Sequence, residues 1–225
     1  MIKEITELFV KYRKMIVLFI FLILFIIILN DVFDDAIIYY DEWAYDILVK
    51  KHRSDLLTIV MKIITEFGSA FVLIPLSLFF FLKPKDKSVG IASGLNLIII
   101  TIINTILKLI IRRPRPSGFN IIDEFGFSFP SGHSMVSTAF YGFLIYLVYK
   151  NVKNKMLKIF LCSLLFFLII SICISRVYLG VHYASDVIGG FCISISYLML
   201  YVTIIPKFLK IINKESKRWF YEEEI

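Results

Sequence analysis

The chain has 225 residues, 59% of them hydrophobic and 16% aromatic, and its mean hydropathy is +0.82. Soluble domains are about 45–50% apolar, so the composition excludes a water-soluble globule, a disordered chain and, with only three cysteines, a disulfide-rich secreted module. The net charge of +7 does not indicate a nucleic-acid partner, because lysine and arginine crowd the ends of apolar segments instead of lining one face.

The remaining class is a polytopic membrane protein, and six apolar segments are predicted to cross the bilayer as helices. They are residues 15–29, 67–82, 89–111, 134–149, 157–174 and 187–205. Each approaches the length that a helix rising about 1.5 Å per residue needs to cross a hydrocarbon layer of about 30 Å. The first has the length of a signal peptide, but no small-residue cleavage site follows it. The predicted fold is all-α, a six-transmembrane helical bundle built as a single membrane-embedded domain, residues 1–225.

Residues 37–65, between the first two segments, are too polar to cross a membrane and too apolar for a free loop. They begin with aromatic and acidic residues, among them Tyr39, Trp43 and Asp46, and continue with apolar residues at helical spacing from Leu56 to Ile64. This pattern predicts an additional interfacial amphipathic helix with an aromatic belt. A rim that guides a lipid toward a site is a second interpretation, and the two are compatible.

The distribution of basic residues predicts the orientation. With both termini in the cytoplasm, sixteen of the 25 lysines and arginines lie on the cytoplasmic side and nine on the other. An excess of basic residues on the cytoplasmic side is the rule for multi-pass proteins. We therefore expect a multi-pass protein of the cell membrane with both termini cytoplasmic.

Three polar blocks lie where predicted spans end on the opposite, extracytoplasmic side. The first comprises Lys108 and the pair Arg115-Pro116, after the third span. The second, Pro130–His133, opens the fourth span, and the third, residues 175–186, joins the fifth span to the sixth. Because the orientation was derived from charge alone, the placement of all three blocks on one face is an independent indication that they form one site.

The residue types in these blocks suit the binding of a phosphate group. Lys108, Arg115 and Arg176 offer three cations for one dianion, and arginine donates paired hydrogen bonds to phosphate oxygens. Ser131 and Gly132 lie at a helix start, where free backbone amides and the positive end of the helix dipole attract an anion.

The histidines in the blocks add the chemistry. His182 and Asp186 are four residues apart, one helical turn, so the carboxylate can hold one ring nitrogen and leave the other free to attack. His133 remains as a second titrating group. Taken singly, these residues have ordinary alternatives, such as a cation anchoring a helix end or a Ser or Asp capping a helix. Taken together, they indicate phosphoryl transfer through a phosphohistidine.

The three blocks resemble the three-part signature of the type 2 phosphatidic acid phosphatase superfamily, and all eleven fixed positions match: Lys108-x6-Arg115-Pro116, Pro130-Ser131-Gly132-His133 and Ser175-Arg176-x5-His182-x3-Asp186. The resemblance implies an integral membrane lipid phosphatase with six membrane helices. It implies that His182 is the nucleophile, that Asp186 fixes its tautomer and that His133 protonates the leaving oxygen. It further implies a phosphate-binding set of Lys108, Arg115, Ser131, Gly132 and Arg176. Members of this family need no metal, so neither a metal site nor a cofactor is expected.

The position of the blocks at the membrane face favours a lipid substrate whose apolar tail stays between helices. The resemblance suggests phosphatidylglycerophosphate and undecaprenyl pyrophosphate as leading candidates, with phosphatidic acid as a third. The sequence separates neither monophosphate from pyrophosphate nor one oligomeric state from another. If His182 must be neutral and His133 protonated, activity should follow a bell-shaped pH profile.

Other classes of function remain as alternatives. A transporter or channel also carries intramembrane charges, but usually near the bilayer midplane. A vanadate-dependent haloperoxidase has a similar site, but a soluble composition would be expected of it. A catalytically inactive relative is disfavoured by the intact signature. Outside the blocks, His52 is interpreted as an interfacial residue, and Asn96, Thr101 and Asn104 are assigned to contacts between helices.

Overall fold

The computed structural model describes residues 2–34, 38–83, 87–118 and 120–212. Within these ranges eight α-helices follow one another: α1 (Ile2–Phe33), α2 (Ile38–Tyr45), α3 (Asp55–Glu66), α4 (Ala70–Leu82), α5 (Lys87–Ile111), α6 (Gly132–Asn151), α7 (Lys155–Tyr178) and α8 (Ala184–Ile212). A π-helical turn, Asp46–Lys50, continues α2. The described residues form no β-strand, and the prediction of an all-α fold is confirmed.

In the part of the chain that the structure describes, four helical stretches are long and apolar enough to cross a membrane: Lys11–Phe33, Lys87–Ile111, Lys155–Tyr178 and Ala184–Leu209. Each contains one of the predicted spans. The predicted span 134–149 lies within α6, which is less apolar than these four. Its side chains from Ser134 to Phe143 are almost all buried inside the protein, so they need not match the apolarity of a helix that faces lipid.

The predicted span 67–82 differs from the structure at its start. Its helix, α4, begins only at Ala70, because residues 67–69 form a turn in which the Ser69 hydroxyl donates to the carbonyl of Glu66 at 2.7 Å. Helices α3 and α4 are bent by 41° across this turn, and only together are they long and apolar enough for a further span. A Cβ on Gly68 would lie 2.8 Å from Ile172 and 3.3 Å from the His133 ring, so the tight packing of this turn requires glycine.

Residues 37–65 are the segment predicted to hold one interfacial amphipathic helix; residue 37 lies outside the described residues, and the rest of the segment forms two helices, α2 and most of α3, with the π-helical turn between them. Its aromatic side chains Tyr39 and Trp43 are exposed, as an aromatic belt would be. Asp41 on α2 is buried, with only 3% of its surface accessible. The segment therefore has an inner face that its aromatic composition does not reveal.

Helix α6 lies at the centre of the bundle, packed against α5, α7 and α8, while α1 lies along α8, α3 along α7 and α4 along α5. Asn96 and Asn104 of α5 donate to the carbonyls of Ala139 and Pro130, both at 3.0 Å, which confirms their predicted contacts between helices. The Thr101 side chain is exposed instead. This packing gathers the last turns of α5 and α7 and the first turns of α6 and α8 at one end of the bundle.

Candidate active site

The three polar blocks meet at this end of the bundle. The backbone amide of Ser131 donates to the carbonyl of Asp186 at 3.0 Å, which joins the start of α6 to the start of α8. The approach is close, since a Cβ on Gly190 of α8 would lie 3.1 Å from the Ser131 carbonyl oxygen. The bond from Asn104 to Pro130 ties the same segment to α5. The chain thus fixes the relative positions of all three blocks through their backbones.

His182 lies in the short connection between α7 and α8 and is buried, with 3% of its surface accessible. Its Nδ1 is 3.3 Å from Oδ2 of Asp186, and its Nε2 is 3.2 Å from Nη1 of Arg115. A guanidinium can only donate, so Nε2 must be the accepting nitrogen and Nδ1 must carry the proton that it donates to Asp186. The ring is therefore held in the tautomer whose Nε2 lone pair faces the cations.

Burial lowers the pKa of His182 well below the ordinary value of a histidine, and the cations Arg176, Arg115 and Lys108 lower it further. The imidazole is consequently neutral at physiological pH. A neutral imidazole among cations is the protonation state that a nucleophile toward a phosphate needs.

Asp186 is completely buried, and both of its carboxylate oxygens accept hydrogen bonds. Its Oδ2 accepts from the backbone amide of Tyr183 at 2.9 Å and from His182, and its Oδ1 accepts from Arg113 at 2.6 Å. All its partners are donors, so both carboxylate oxygens are fixed as acceptors.

The two predicted phosphate-binding arginines lie beside the histidine and are anchored differently. Arg115 donates to the backbone carbonyls of Val181, Gly126 and Phe125 at 2.8–3.1 Å. Arg176 is 1% accessible and donates through Nη1 to the Thr65 hydroxyl at 2.9 Å. Among the described residues its Nε has no hydrogen-bond partner, which leaves a buried donor available to an anion.

The remaining predicted site residues surround these groups. His133 lies within electrostatic range of Arg176 and His182, and Lys108 within range of Arg115 and Arg176. Ser131 is fully buried, and its hydroxyl accepts from the amide and the hydroxyl of Ser134, so it caps α6. The Ser131 hydroxyl is thereby directed at its own helix.

Glu124, in the connection between α5 and α6, was not predicted as a site residue. Its carboxylate forms an ion pair with Arg176 and a second with Arg115 at 3.5 Å. Burial would raise the pKa of Glu124, but the charge and hydrogen bond of Arg176 outweigh burial and lower it, so the side chain is ionised. This single carboxylate offsets part of the positive charge of the two arginines.

Two further residues that the sequence analysis did not place in the site are Arg113 and Asp41. Arg113 bridges Asp186 and Asp41 with its two terminal nitrogens. No periodicity or spacing connects Asp41 to the blocks, because it lies on α2, 72 positions before Arg113 in the chain.

A cavity and a cleft adjoin this cluster. The cavity, of about 420 Å³, reaches His182 and is lined by residues of α2, of the π-helical turn and of the connections after α5 and α7. The cleft, of about 540 Å³, lies between α4 and α5 and is lined mainly by apolar side chains, including Leu73, Ile98 and Val136. Val136 is one helical turn from His133, so the cleft approaches the polar cluster from the side of the bundle.

Comparison with known proteins gives concordant matches. Residues 90–210 match the sequence model of the PAP2 superfamily. The chain is 33% identical over 162 residues to phosphatidylglycerophosphatase B of Bacillus subtilis (strain 168), covering 66% of this chain and 75% of that protein. The fold resembles the crystal structure of a transmembrane PAP2 type phosphatidylglycerolphosphate phosphatase from Bacillus subtilis, with a TM-score of 0.75 and 29% identity over 90% of this chain and 98% of the other. It also resembles Aquifex aeolicus LpxE in fold, with a TM-score of 0.52 and 24% identity over 69% of this chain and 92% of the other.

Proposed function

The chain belongs to the PAP2 superfamily and is a membrane lipid phosphatase of that type, and on this premise we propose that it hydrolyses phosphatidylglycerophosphate to inorganic phosphate and phosphatidylglycerol. The observation that carries the proposal is the His182 ring, held by Asp186 with its Nε2 facing Arg115 in a cluster of cations. The Bacillus subtilis matches, one by sequence and one by structure, are both named as phosphatidylglycerophosphate phosphatases, which supports this lipid over undecaprenyl pyrophosphate and phosphatidic acid.

The reaction proceeds in two steps. In the first, Nε2 of His182 attacks phosphorus, a P–N bond forms, the P–O bond to the lipid breaks, and His133 gives the leaving oxygen its proton. In the second, water attacks the phosphohistidine, His133 takes a proton from that water, the P–N bond breaks, and inorganic phosphate leaves. Lys108, Arg115 and Arg176 stabilise the charge on the phosphoryl oxygens together with the amide of Gly132, which Ser131 orients by capping α6.

The chain crosses the membrane six times in this proposal. α1, the bent pair α3–α4, α5, α6, α7 and α8 are the six spans, and α2 lies at the interface. The ends of α5 and α7 and the starts of α6 and α8 then share one face, as the Ser131–Asp186 bond requires. The charge distribution assigns that face to the extracytoplasmic side and both termini to the cytoplasm.

The lipid enters from the bilayer through the apolar cleft between α4 and α5. Val136, one turn from His133, lines this cleft, so an acyl chain bound in it would lie close to the cations. The leaving oxygen belongs to the lipid, and this route delivers it to the histidine that protonates it.

Phosphate release by the detergent-purified protein tests the function. With phosphatidylglycerophosphate, undecaprenyl pyrophosphate and phosphatidic acid in matched mixed micelles and EDTA present, we expect turnover to be fastest with the first lipid and insensitive to EDTA. Faster phosphate release from undecaprenyl pyrophosphate would show that this lipid, and not phosphatidylglycerophosphate, is the preferred substrate. Absence of release from all three lipids would contradict lipid phosphatase activity as a whole.

Replacing Glu124 with glutamine should strengthen the binding of phosphate. The substitution removes the negative charge that competes for Arg115 and Arg176, so the inhibition constant for inorganic phosphate should fall by about tenfold, which corresponds to about 1.4 kcal/mol. Steady-state inhibition at constant lipid concentration measures it. Asp123→Asn is the matched control, because the exposed Asp123 carboxylate contacts Asn120 instead of the arginines. A rise in the inhibition constant would instead show that Glu124 holds the arginines in place for the substrate.

A further inference from the structure

Arg113 bonds to two buried carboxylates beside the site, although it is not one of the fixed positions of the signature. Its side chain is 9% accessible. Nη1 donates to Oδ1 of Asp186 at 2.6 Å and to the Ser185 hydroxyl at 2.7 Å, and Nη2 donates to Oδ2 of Asp41 at 2.8 Å. The Tyr183 ring lies 4.2 Å from the guanidinium carbon and covers one face of the guanidinium plane.

Asp41 completes the network from α2. Its Oδ1 accepts from the backbone amide of Ser185 at 2.8 Å, and its Oδ2 accepts from the Ser185 hydroxyl at 2.6 Å as well as from Arg113. Its side chain is 2% accessible. Asp41 thus holds both the guanidinium and the first turn of α8, the turn from which Asp186 projects.

The two carboxylates of this network hold the guanidinium in place. Burial would lower the pKa of Arg113, but the carboxylates of Asp186 and Asp41 outweigh burial and raise it. Removal of the guanidinium would leave two buried carboxylates without their cation, and removal of either carboxylate would take away one of the two anchors of the guanidinium. The arrangement is therefore rigid.

Arg113 differs from Arg115 and Arg176 in what its terminal nitrogens face. Both nitrogens of Arg113 are bonded to protein acceptors, and neither Glu124 nor His182 is among them. Arg115, by contrast, contacts both Glu124 and His182. An effect of Arg113 on the reaction must therefore pass through Asp186.

We infer that Arg113, held by Asp41 of α2, is a positioning residue of the reaction: it fixes the Asp186 carboxylate and through it the orientation of the His182 ring, which makes α2 part of the catalytic framework. The inference rests on the proposed role of His182 as nucleophile. The geometry supplies the reason, since Asp186 uses one oxygen for Arg113 and the other for His182. Without Arg113, Oδ1 of Asp186 would lose its charged partner, and the orientation of the carboxylate would depend mainly on the bonds from Tyr183 and His182 to Oδ2.

The inference predicts a specific change in pH dependence. Removal of the guanidinium charge 2.6 Å from Asp186 lets the His182–Asp186 pair bind an additional proton at higher pH, and that proton inactivates the nucleophile. The other charged or titratable groups around the pair remain as they are: Lys108 from α5, His133 from α6, Arg176 from α7, Arg115, Glu124 and Tyr183 from the connections, and Glu66 of α3 facing Arg176. The acidic limb of the pH profile of kcat/KM should therefore move toward neutral pH.

The test compares Arg113→Gln, Arg113→Lys and Asp41→Asn with the wild type in lipid hydrolysis from pH 4 to pH 9. We expect Arg113→Gln to lower kcat by about a hundredfold with KM unchanged, because a misplaced catalytic group costs rate and leaves substrate contacts intact. The acidic limb of kcat/KM should rise by about one pH unit. Arg113→Lys keeps the positive charge but cannot bridge Asp186 and Asp41. Its acidic limb should therefore stay at the wild-type pH, while its kcat falls. Asp41→Asn should give a smaller loss of kcat than Arg113→Gln.

Arg112→Gln is the matched control, since the neighbouring Arg112 donates from Nε to the carbonyl of Leu109 and is exposed. It should leave kcat, KM and the limb unchanged. Loss of kcat in Arg113→Gln with an unmoved limb would show packing alone, and a raised KM would make Arg113 a phosphate ligand; either result overturns the inference. If Arg113→Gln does not fold, Arg113→Lys provides the test. A lowered kcat with an unmoved acidic limb in that variant supports the inference, and a wild-type kcat overturns it.

Failure of the proposed function is distinguishable from failure of the inference. If the wild type hydrolyses none of the three lipids, the same variants are compared by their affinity for orthovanadate, a phosphate-shaped anion that binds a neutral imidazole. Weaker binding in both Arg113→Gln and Arg113→Lys than in Arg112→Gln supports the positioning role even without a lipid substrate. Equal affinities across the variants overturn it.

Discussion

Replacing His182 with asparagine should lower the rate of phosphate release by about ten thousandfold or more. The asparagine amide nitrogen can take the place of Nδ1 and donate to Asp186, so the buried carboxylate keeps a partner. What the variant lacks is Nε2, the atom that faces Arg115 and attacks phosphorus in the proposed reaction. Because the hydrogen bond to Asp186 is retained, the loss should appear in kcat with a small effect on thermal unfolding.

The measurement is phosphate release in mixed micelles, combined with trapping of the phosphoenzyme by acid-free denaturation after mixing with labelled lipid. The wild type should carry label at His182, and His182→Asn should carry none. His52→Asn is the control, because His52 is exposed and its ring contacts the carbonyl of Ile47, away from the cations. Turnover by His182→Asn within tenfold of the wild type would indicate direct attack by water instead of a phosphohistidine.

The meeting of the three blocks could be predicted from the sequence because it depends on the alternating direction of successive helices. Lys108, His133, Arg176 and Asp186 all lie at ends of apolar helices, and successive helices that pack in alternating directions bring such ends together. The spacing of His182 and Asp186 is likewise local, and their contact at 3.3 Å needs only the first turn of α8. Local spacing and helix alternation account for the predicted part of the site.

Asp41, Thr65 and Glu124 could not be predicted because their positions depend on packing between distant segments. Asp41 lies on a helix with exposed Tyr39 and Trp43, and an aromatic segment beside charged residues is typical of an interface whether or not one carboxylate turns inward. Thr65 reaches Arg176 only because the turn at Gly68 bends α3 against α7. The position of Glu124 on the arginines is set by the fold of the connection between α5 and α6, for which no periodic pattern exists.

The start of the second predicted span shows the same limit. Phe67 continues an apolar run, so hydropathy alone extends the span back to residue 67. The structure ends α3 at Glu66 and begins α4 at Ala70, because the Ser69 side chain bonds the Glu66 carbonyl and Gly68 fits under the His133 ring. A hydropathy average over a segment does not detect a side chain that hydrogen-bonds to the backbone at a helix boundary.

Replacing Asp186 with asparagine should be almost as damaging as removing the nucleophile, with a fall in kcat of about ten thousandfold. The wild-type carboxylate accepts from Arg113 on one oxygen and from Tyr183 and His182 on the other. An asparagine has one oxygen and one amide nitrogen, so it confronts either Arg113 or the pair Tyr183 and His182 with a second donor. Both orientations leave buried donors unpaired. The orientation that keeps Arg113 bonded also reverses the tautomer of His182.

In that orientation, Nδ1 of His182 must accept from the new amide, and the ring proton moves to Nε2. The protonated Nε2 then faces the N–H of Arg115 and has no lone pair to offer phosphorus. Single-turnover formation of the phosphoenzyme should therefore fall as far as kcat, while the affinity for inorganic phosphate changes little, since the three cations are untouched. Asp41→Asn makes the same chemical change in a residue that contacts Arg113 instead of the His182 ring. Its loss of kcat should therefore be much smaller. Equal losses in the two variants would mean that Asp186 acts through the stability of the buried network and that the tautomer of His182 is set by Arg115.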